Sequence, residues 1–103
     1  MVPKIKRKWI KALRSGRYKQ GQEFLLKDNR YCCLGVLCKV LRKDIAQSKP
    51  KNGEETLSGE LLKLTGLTSE QQNKLADMND SITRDDGRNT SFKEIADYIE
   101  ENL

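Results

Sequence analysis

Arg14, Arg17, Tyr18, Lys19 and Gln20 fall close together in the chain, and their types suit the recognition of an anion. Arginine offers a planar fork that matches phosphate or carboxylate. A tyrosine ring can stack on a base, and a glutamine amide can read a base edge or a sugar hydroxyl. A nucleotide-like anion is the ligand such a set would take, although the same residues also make an ordinary surface in a basic protein. Arg30 and Tyr31 precede a second candidate, the start of the apolar segment from Cys33 to Leu41. If that segment is a helix, its first backbone N–H groups, near Cys33, Leu34 and Gly35, either bind an anion or are met inside the protein. A third group, Asn79-Asp80-Ser81, has short polar side chains that would either hold a ribose or an amine or else cap a turn.

Much other chemistry is excluded by residue type. The chain has no histidine, so it has no Ser-His or Cys-His pair and no imidazole base. Its three cysteines, Cys32, Cys33 and Cys38, sit in one apolar stretch. Their odd number and crowding suit buried, reduced thiols better than a disulfide framework or a four-ligand zinc site. Asp77, Asp80, Asp85 and Asp86 do not follow the spacing of a calcium loop, and no GxxxxGK[ST] or GxGxxG string is present. One enzymatic route is left, a Cys33 thiolate activated by Arg30 or by the helix start. The reading is therefore a binding protein rather than an enzyme, with no catalytic residues, cofactor or metal.

These candidates need elements to position them. Residues 4–15 have Ile5, Trp9, Ile10, Ala12 and Leu13 on one stripe and Lys4, Arg7, Lys8, Lys11 and Arg14 opposite, which predicts an amphipathic helix ended by Gly16. Residues 17–32 read as extended. Glu23–Leu26 and Arg30–Cys32 flank Lys27-Asp28-Asn29 as a short β-hairpin. Residues 33–44 read as the central core helix, with Gly35, Lys39 and Arg42 on a narrow polar edge. A glycine inside a helix costs about 1 kcal/mol relative to alanine, so Gly35 points to close approach by another backbone or a ligand. Residues 45–57 read as a loop. A short helix over Gly59–Leu64, with Ser58 as its cap and Gly66 as its stop, comes next. Thr68 and Gln71 form a capping box for a helix to about Asn79, residues 80–90 are polar, and Ser91 and Glu94 cap a last helix. The expected fold is α+β, a single small domain of about four to five helices with a short β-hairpin.

The net charge of +5 is unevenly divided. Residues 1–52 carry 15 Lys/Arg against 3 Asp/Glu, and residues 53–103 carry 5 against 12. Opposite halves attract within one molecule or between two copies, so a homo-oligomer is one expectation. The basic half favours an anionic partner. No apolar run nears the ~18 residues of a membrane span, and no apolar stretch follows the basic start as in a secretory signal. A cytoplasmic protein with no membrane contact is expected.

Two strings carry a resemblance. Residues 9–20, WIKALRSGRYKQ, and residues 31–38, YCCLGVLC, resemble a group of small phage and prophage proteins of unassigned function with the pattern W-x-x-A-L-R-S-G-x-Y-x-Q, a short linker, then Y-C-C-L-G-V-L-C. Residues 75–80, LADMND, and 91–100, SFKEIADYIE, look like the same group's C-terminal half, so the likeness spans nearly the whole chain. It implies a phage origin and an accessory protein acting in the host cytoplasm. The expected role is to counter a host defence component, either by sequestering a phosphorylated nucleotide signal or by inhibiting a host defence protein through a surface patch. Nucleic-acid binding is the other reading, supported by the basic helix face and opposed by the acidic second half.

Overall fold

In a computed structural model the described residues are 1–22, 24–41, 49–51, 54–57, 59–80 and 90–103. The first helix, α1 (Pro3–Arg14), starts with proline in its first turn, where a missing N–H costs nothing. It buries Trp9, Ile10 and Leu13, and Gly16 follows it at φ 77°. Three very short strands come next: β1 (Lys19–Gln20), β2 (Leu26–Lys27) and β3 (Arg30–Tyr31). Their order is β1-β3-β2, with β3 antiparallel to β2 and parallel to β1.

The expected hairpin is therefore present but shorter, and one strand larger. Lys27 pairs with Arg30, so Asp28 and Asn29 alone make the turn, at φ 53° and 63°. Those positive angles are what a twist-matched two-residue turn needs, and Asp and Asn tolerate them. Phe24 and Leu25 lie outside the ladder. The backbone of Leu25 is instead pressed against Gly35 of the next helix, α2 (Cys33–Val40). A Cβ at Gly35 would overlap the Leu25 carbonyl oxygen and come within 2.7 Å of its carbonyl carbon. Gly35 is thus buried in the core rather than set on a polar edge with exposed Lys39, and the close approach it permits is by backbone.

The central helix stops earlier than expected, with Leu41 as its C-cap; Arg42 falls outside the described residues. Cys33, Leu34, Val36, Leu37 and Cys38 are all at most 1% exposed, which makes α2 the core. Within the stretch expected to be a loop, β4 (Lys49–Lys51) pairs antiparallel with β5 (Glu54–Thr56). Helix α3 (Gly59–Thr65) ends at Gly66, at φ 77°. The expected Ser58 cap and the polar stretch 81–89 lie outside the described residues.

Helix α4 (Ser69–Asp80) opens with the expected box: Thr68 N–H donates to Gln71 Oε1 at 3.0 Å and Gln71 N–H to Thr68 Oγ1 at 3.1 Å. Helix α5 (Phe92–Asn102) opens with the reciprocal Ser91–Glu94 box. Five helices and a small three-stranded sheet make this an α+β fold among the described residues. Helix α1 packs on α5 and α2, and α2 packs on α4. The Trp9 indole N–H donates to the Cys33 carbonyl at 2.9 Å, fixing α1 over the start of α2.

Candidate functional site

Burying one stripe of α1 leaves its cations on the outside. Lys4, Arg7, Lys8, Lys11 and Arg14 are exposed. Residues three and four apart are neighbours on a helix surface, so Arg7, Lys11 and Arg14 run along one side. An open groove of about 830 Å³ follows that side, lined by Pro3, Lys6, Arg7, Ile10, Lys11 and Arg14 together with Ser15 and Glu100. Its floor is apolar at Pro3 and Ile10, and its rim is cationic.

The four groove cations are not equivalent. Arg14 donates to Asp97 Oδ1 at 2.7 Å and Glu100 Oε2 at 2.8 Å, tying α1 to α5. Its hydrogen bonds to Asp97 and then Glu100 hold the guanidinium still more firmly protonated than usual. Lys6 donates to the Glu100 carbonyl at 3.2 Å, near the negative end of α5. Among the described residues neither Arg7 nor Lys11 has an ion-pair or hydrogen-bond partner. The opposite charges of the two halves thus meet within one molecule, at Arg14. They do so without neutralising the middle of α1.

A second groove of about 200 Å³ lies beside the first, with Lys8, Lys11, Arg17 and Tyr18 in its lining. Lys11 borders both. Past it, the register pairs Lys19 with Arg30 and Gln20 with Tyr31. The Tyr18 and Tyr31 rings meet edge to face, with centroids 5.3 Å apart. One Arg30 nitrogen donates to the Gln20 carbonyl at 3.3 Å. The fold therefore gathers Arg17, Tyr18, Lys19, Arg30 and Tyr31 into one neighbourhood, although they come from two separate stretches of sequence.

Gln20, Asn79 and Asp80 are placed differently. Gln20 Nε2 donates to Asn79 Oδ1 at 2.9 Å and to the Thr90 carbonyl at 2.7 Å, while Gln20 Oε1 accepts from Phe92 N–H at 3.1 Å. Asn79 Oδ1 also accepts from Cys33 N–H at 3.2 Å, and Asn79 Nδ2 donates to the Gly21 carbonyl at 2.8 Å and to Asp80 Oδ1 at 2.7 Å. These two amides join β1 to the ends of α2, α4 and α5. They satisfy helix-terminal groups that would otherwise be orphaned. The first N–H of α2 is thereby met inside the protein, and the Gly35 N–H goes to Cys32 Sγ at 3.4 Å.

The cysteines are free and buried. Burial pushes the Cys32 thiol up to about 12 and the Cys33 thiol well above its ordinary value. A reactive thiolate is the opposite case. Among the described residues no cluster of three metal-ligating side chains occurs, and no helix is long and apolar enough to cross a membrane.

A family model described as Domain of unknown function (DUF8296) matches residues 1–56. The chain belongs to this family. No curated protein and no solved structure matches it. The DUF8296 match takes in every described basic residue of both grooves and all of the three-stranded sheet, while Asn79, Asp97 and Glu100 lie beyond it. Lys6, Arg7, Lys8 and Lys11 are groove cations outside the ligand set that the sequence suggests. Arg7, Lys8 and Lys11 lie on the charged helical face that the sequence offers to nucleic acid, whereas Lys6 lies outside that face.

Proposed function

We propose that this is a phage-encoded binding protein that holds a phosphorylated, nucleotide-like anion against α1 and thereby removes a signal from a host defence component. The observation that carries the ligand class is the groove of about 830 Å³, with an apolar floor at Pro3 and Ile10 beside two cations, Arg7 and Lys11, that have no partner among the described residues. A base would lie on the floor, and phosphate oxygens would take the guanidinium fork and the ammonium. Like charges three and four apart on a helix oppose it by about 0.2–0.5 kcal/mol per pair, a cost that a bound anion would reverse. The phage origin and the defence role rest on the resemblance of residues 9–20 and 31–38 to small phage proteins.

A second reading, nucleic-acid binding, is favoured by one feature: the two grooves share Lys11 and Ser15 in their linings, so the cationic strip continues from Arg7 to Arg17. Titration calorimetry with nucleoside mono-, di- and triphosphates, cyclic nucleotides and a short single-stranded oligonucleotide separates the two. The expected result is saturable, stoichiometric binding of one nucleotide class, with affinity lowered by about tenfold or more in R7Q/K11Q and unchanged in K63Q/K74Q. A strong preference for the oligonucleotide, with affinity falling steeply with salt, supports the second reading. No saturable binding to any of them, or equal binding by R7Q/K11Q, overturns the proposal.

A further inference from the structure

Away from α1, the small sheet carries a second concentration of positive charge. Lys19 is the register partner of Arg30 on one side, and Lys27 is its partner on the other. Cross-strand partners project to the same face of a sheet, with neighbouring strands ~4.8 Å apart. Three cations therefore stand in a single row across all three strands. All three are exposed, and among the described residues none has a carboxylate partner within 4.0 Å. Like charges placed directly opposite each other destabilise a sheet, and strands of two residues have little to offset that.

The row borders a hollow of about 360 Å³, lined by Gly21, Gln22, Phe24, Lys27, Asp28 and Arg30. Two features hold its shape. Lys27 Nζ lies 4.5 Å from the centre of the Phe24 ring, which restrains the ammonium by a cation–π contact. Gly21 leaves room that another residue would take: a Cβ there would come within 2.7 Å of Arg30 Cβ. Among the described residues Arg30 donates to the Gln20 carbonyl with one nitrogen, which orients the guanidinium and leaves the rest of its fork available there.

We infer that this hollow is an anion site separate from the α1 groove, and that it takes the phosphate of a small phosphomonoester, with Arg30 and Lys27 as direct ligands and Lys19 adding charge from the end of the row. The cations suit a dianion better than the single charge of a phosphodiester. Asp28, the one carboxylate among the described lining residues, opposes a long polyanion laid across the hollow and leaves room for a single phosphate held at the Lys27–Arg30 side.

The test is a backbone-amide NMR titration of the full chain with inorganic phosphate, using chloride at matched ionic strength as the control. Saturable shifts at Gly21, Lys27 and Arg30 are expected, fitted by one site. K27Q/R30Q should remove them while the dispersion of core amides and any response at Arg7 and Lys11 stay unchanged. A response confined to Arg7 and Lys11 overturns the sheet site and leaves the α1 reading standing. Shifts that grow without saturation, that chloride reproduces, or that survive in K27Q/R30Q also overturn it. A single-stranded oligonucleotide that shifts the same amides at lower concentration than phosphate does overturns the assignment to a small phosphomonoester.

Discussion

Replacing Gly35 by alanine sets two effects against each other, and the contact with Leu25 decides between them. In isolation the change favours the helix by about 1 kcal/mol, because alanine loses less backbone entropy on folding. Here the new Cβ would overlap the Leu25 carbonyl oxygen and lie within 2.7 Å of the carbonyl carbon and 3.1 Å of Cα. The obstacle is backbone, so no side-chain rotation relieves it. Either α2 or the segment at Leu25 must move by something on the order of an ångström in a close-packed interior. Leu25 is fully buried, and drawing it out forfeits about 1.5–3 kcal/mol of apolar burial. Residual overpacking adds about 1–3 kcal/mol. After the helix gain is subtracted, G35A should lose about 2–5 kcal/mol, a large part of the ~5–15 kcal/mol that holds a domain together. Urea unfolding followed by the fluorescence of Trp9, itself buried against α2, measures this directly. A G35A protein with an unchanged or higher urea midpoint would refute the packing of Leu25 on α2.

The amide knot gives a second prediction. Asn79→Ala strands the Cys33 N–H and the Gly21 carbonyl, at about 1–3 kcal/mol for each unsatisfied buried group, so a stability loss of about 2–6 kcal/mol by urea denaturation is expected. An Asn79→Ala protein as stable as the native one would mean that water or another group replaces the side chain. The buried thiols predict alkaline sensitivity. Cys32, with its folded value near 12 against an ordinary 9.0, and Cys33, raised in the same direction, stay protonated in the folded chain after they would ionise in the unfolded one. Above the ordinary thiol pKa the folded state binds more protons, so stability is full below it and falls as pH rises. Each thiol contributes about 1.4 kcal/mol per pH unit once the unfolded thiol ionises, or about 3 kcal/mol for the two between pH ~8 and ~10. Urea midpoints across that range test it, and Cys33→Ala should lower the slope. A slope unaffected by that substitution would count against thiol burial as its cause.

Sequence and structure agree where the deciding interaction is local. The Thr68–Gln71 and Ser91–Glu94 boxes close over three residues, and Asp28-Asn29 supplies by itself the left-handed angles its turn needs. They part where partner choice is distant. The parallel pairing of Lys19-Gln20 with Arg30-Tyr31 has no local signature, because two residues cannot display an alternation. The β4–β5 pair is hard to read from sequence for another reason. Lys49–Lys51 and Glu54–Thr56 have no apolar face to betray a strand. The signal that remained was Asn52-Gly53 between them, a favoured two-residue hairpin sequence.

The candidate site divides along the same line, and chemistry explains how. By residue type Gln20 and Asn79 suit the reading of a ligand, whereas in the fold their donors and acceptors bind Cys33, Gly21, Thr90 and Phe92. An amide can be buried once its hydrogen bonds are met, so a fold with orphaned helix ends tends to use it up. Such bonds span 46 to 72 residues here, and no window of sequence displays them. A lysine or arginine faces the opposite constraint. Burying its charge without a partner is prohibitive, so it stays where a ligand can reach it. That asymmetry is why the cations on the helical face, Arg7 and Lys11 among them, remain at the surface, while the amides are part of the frame.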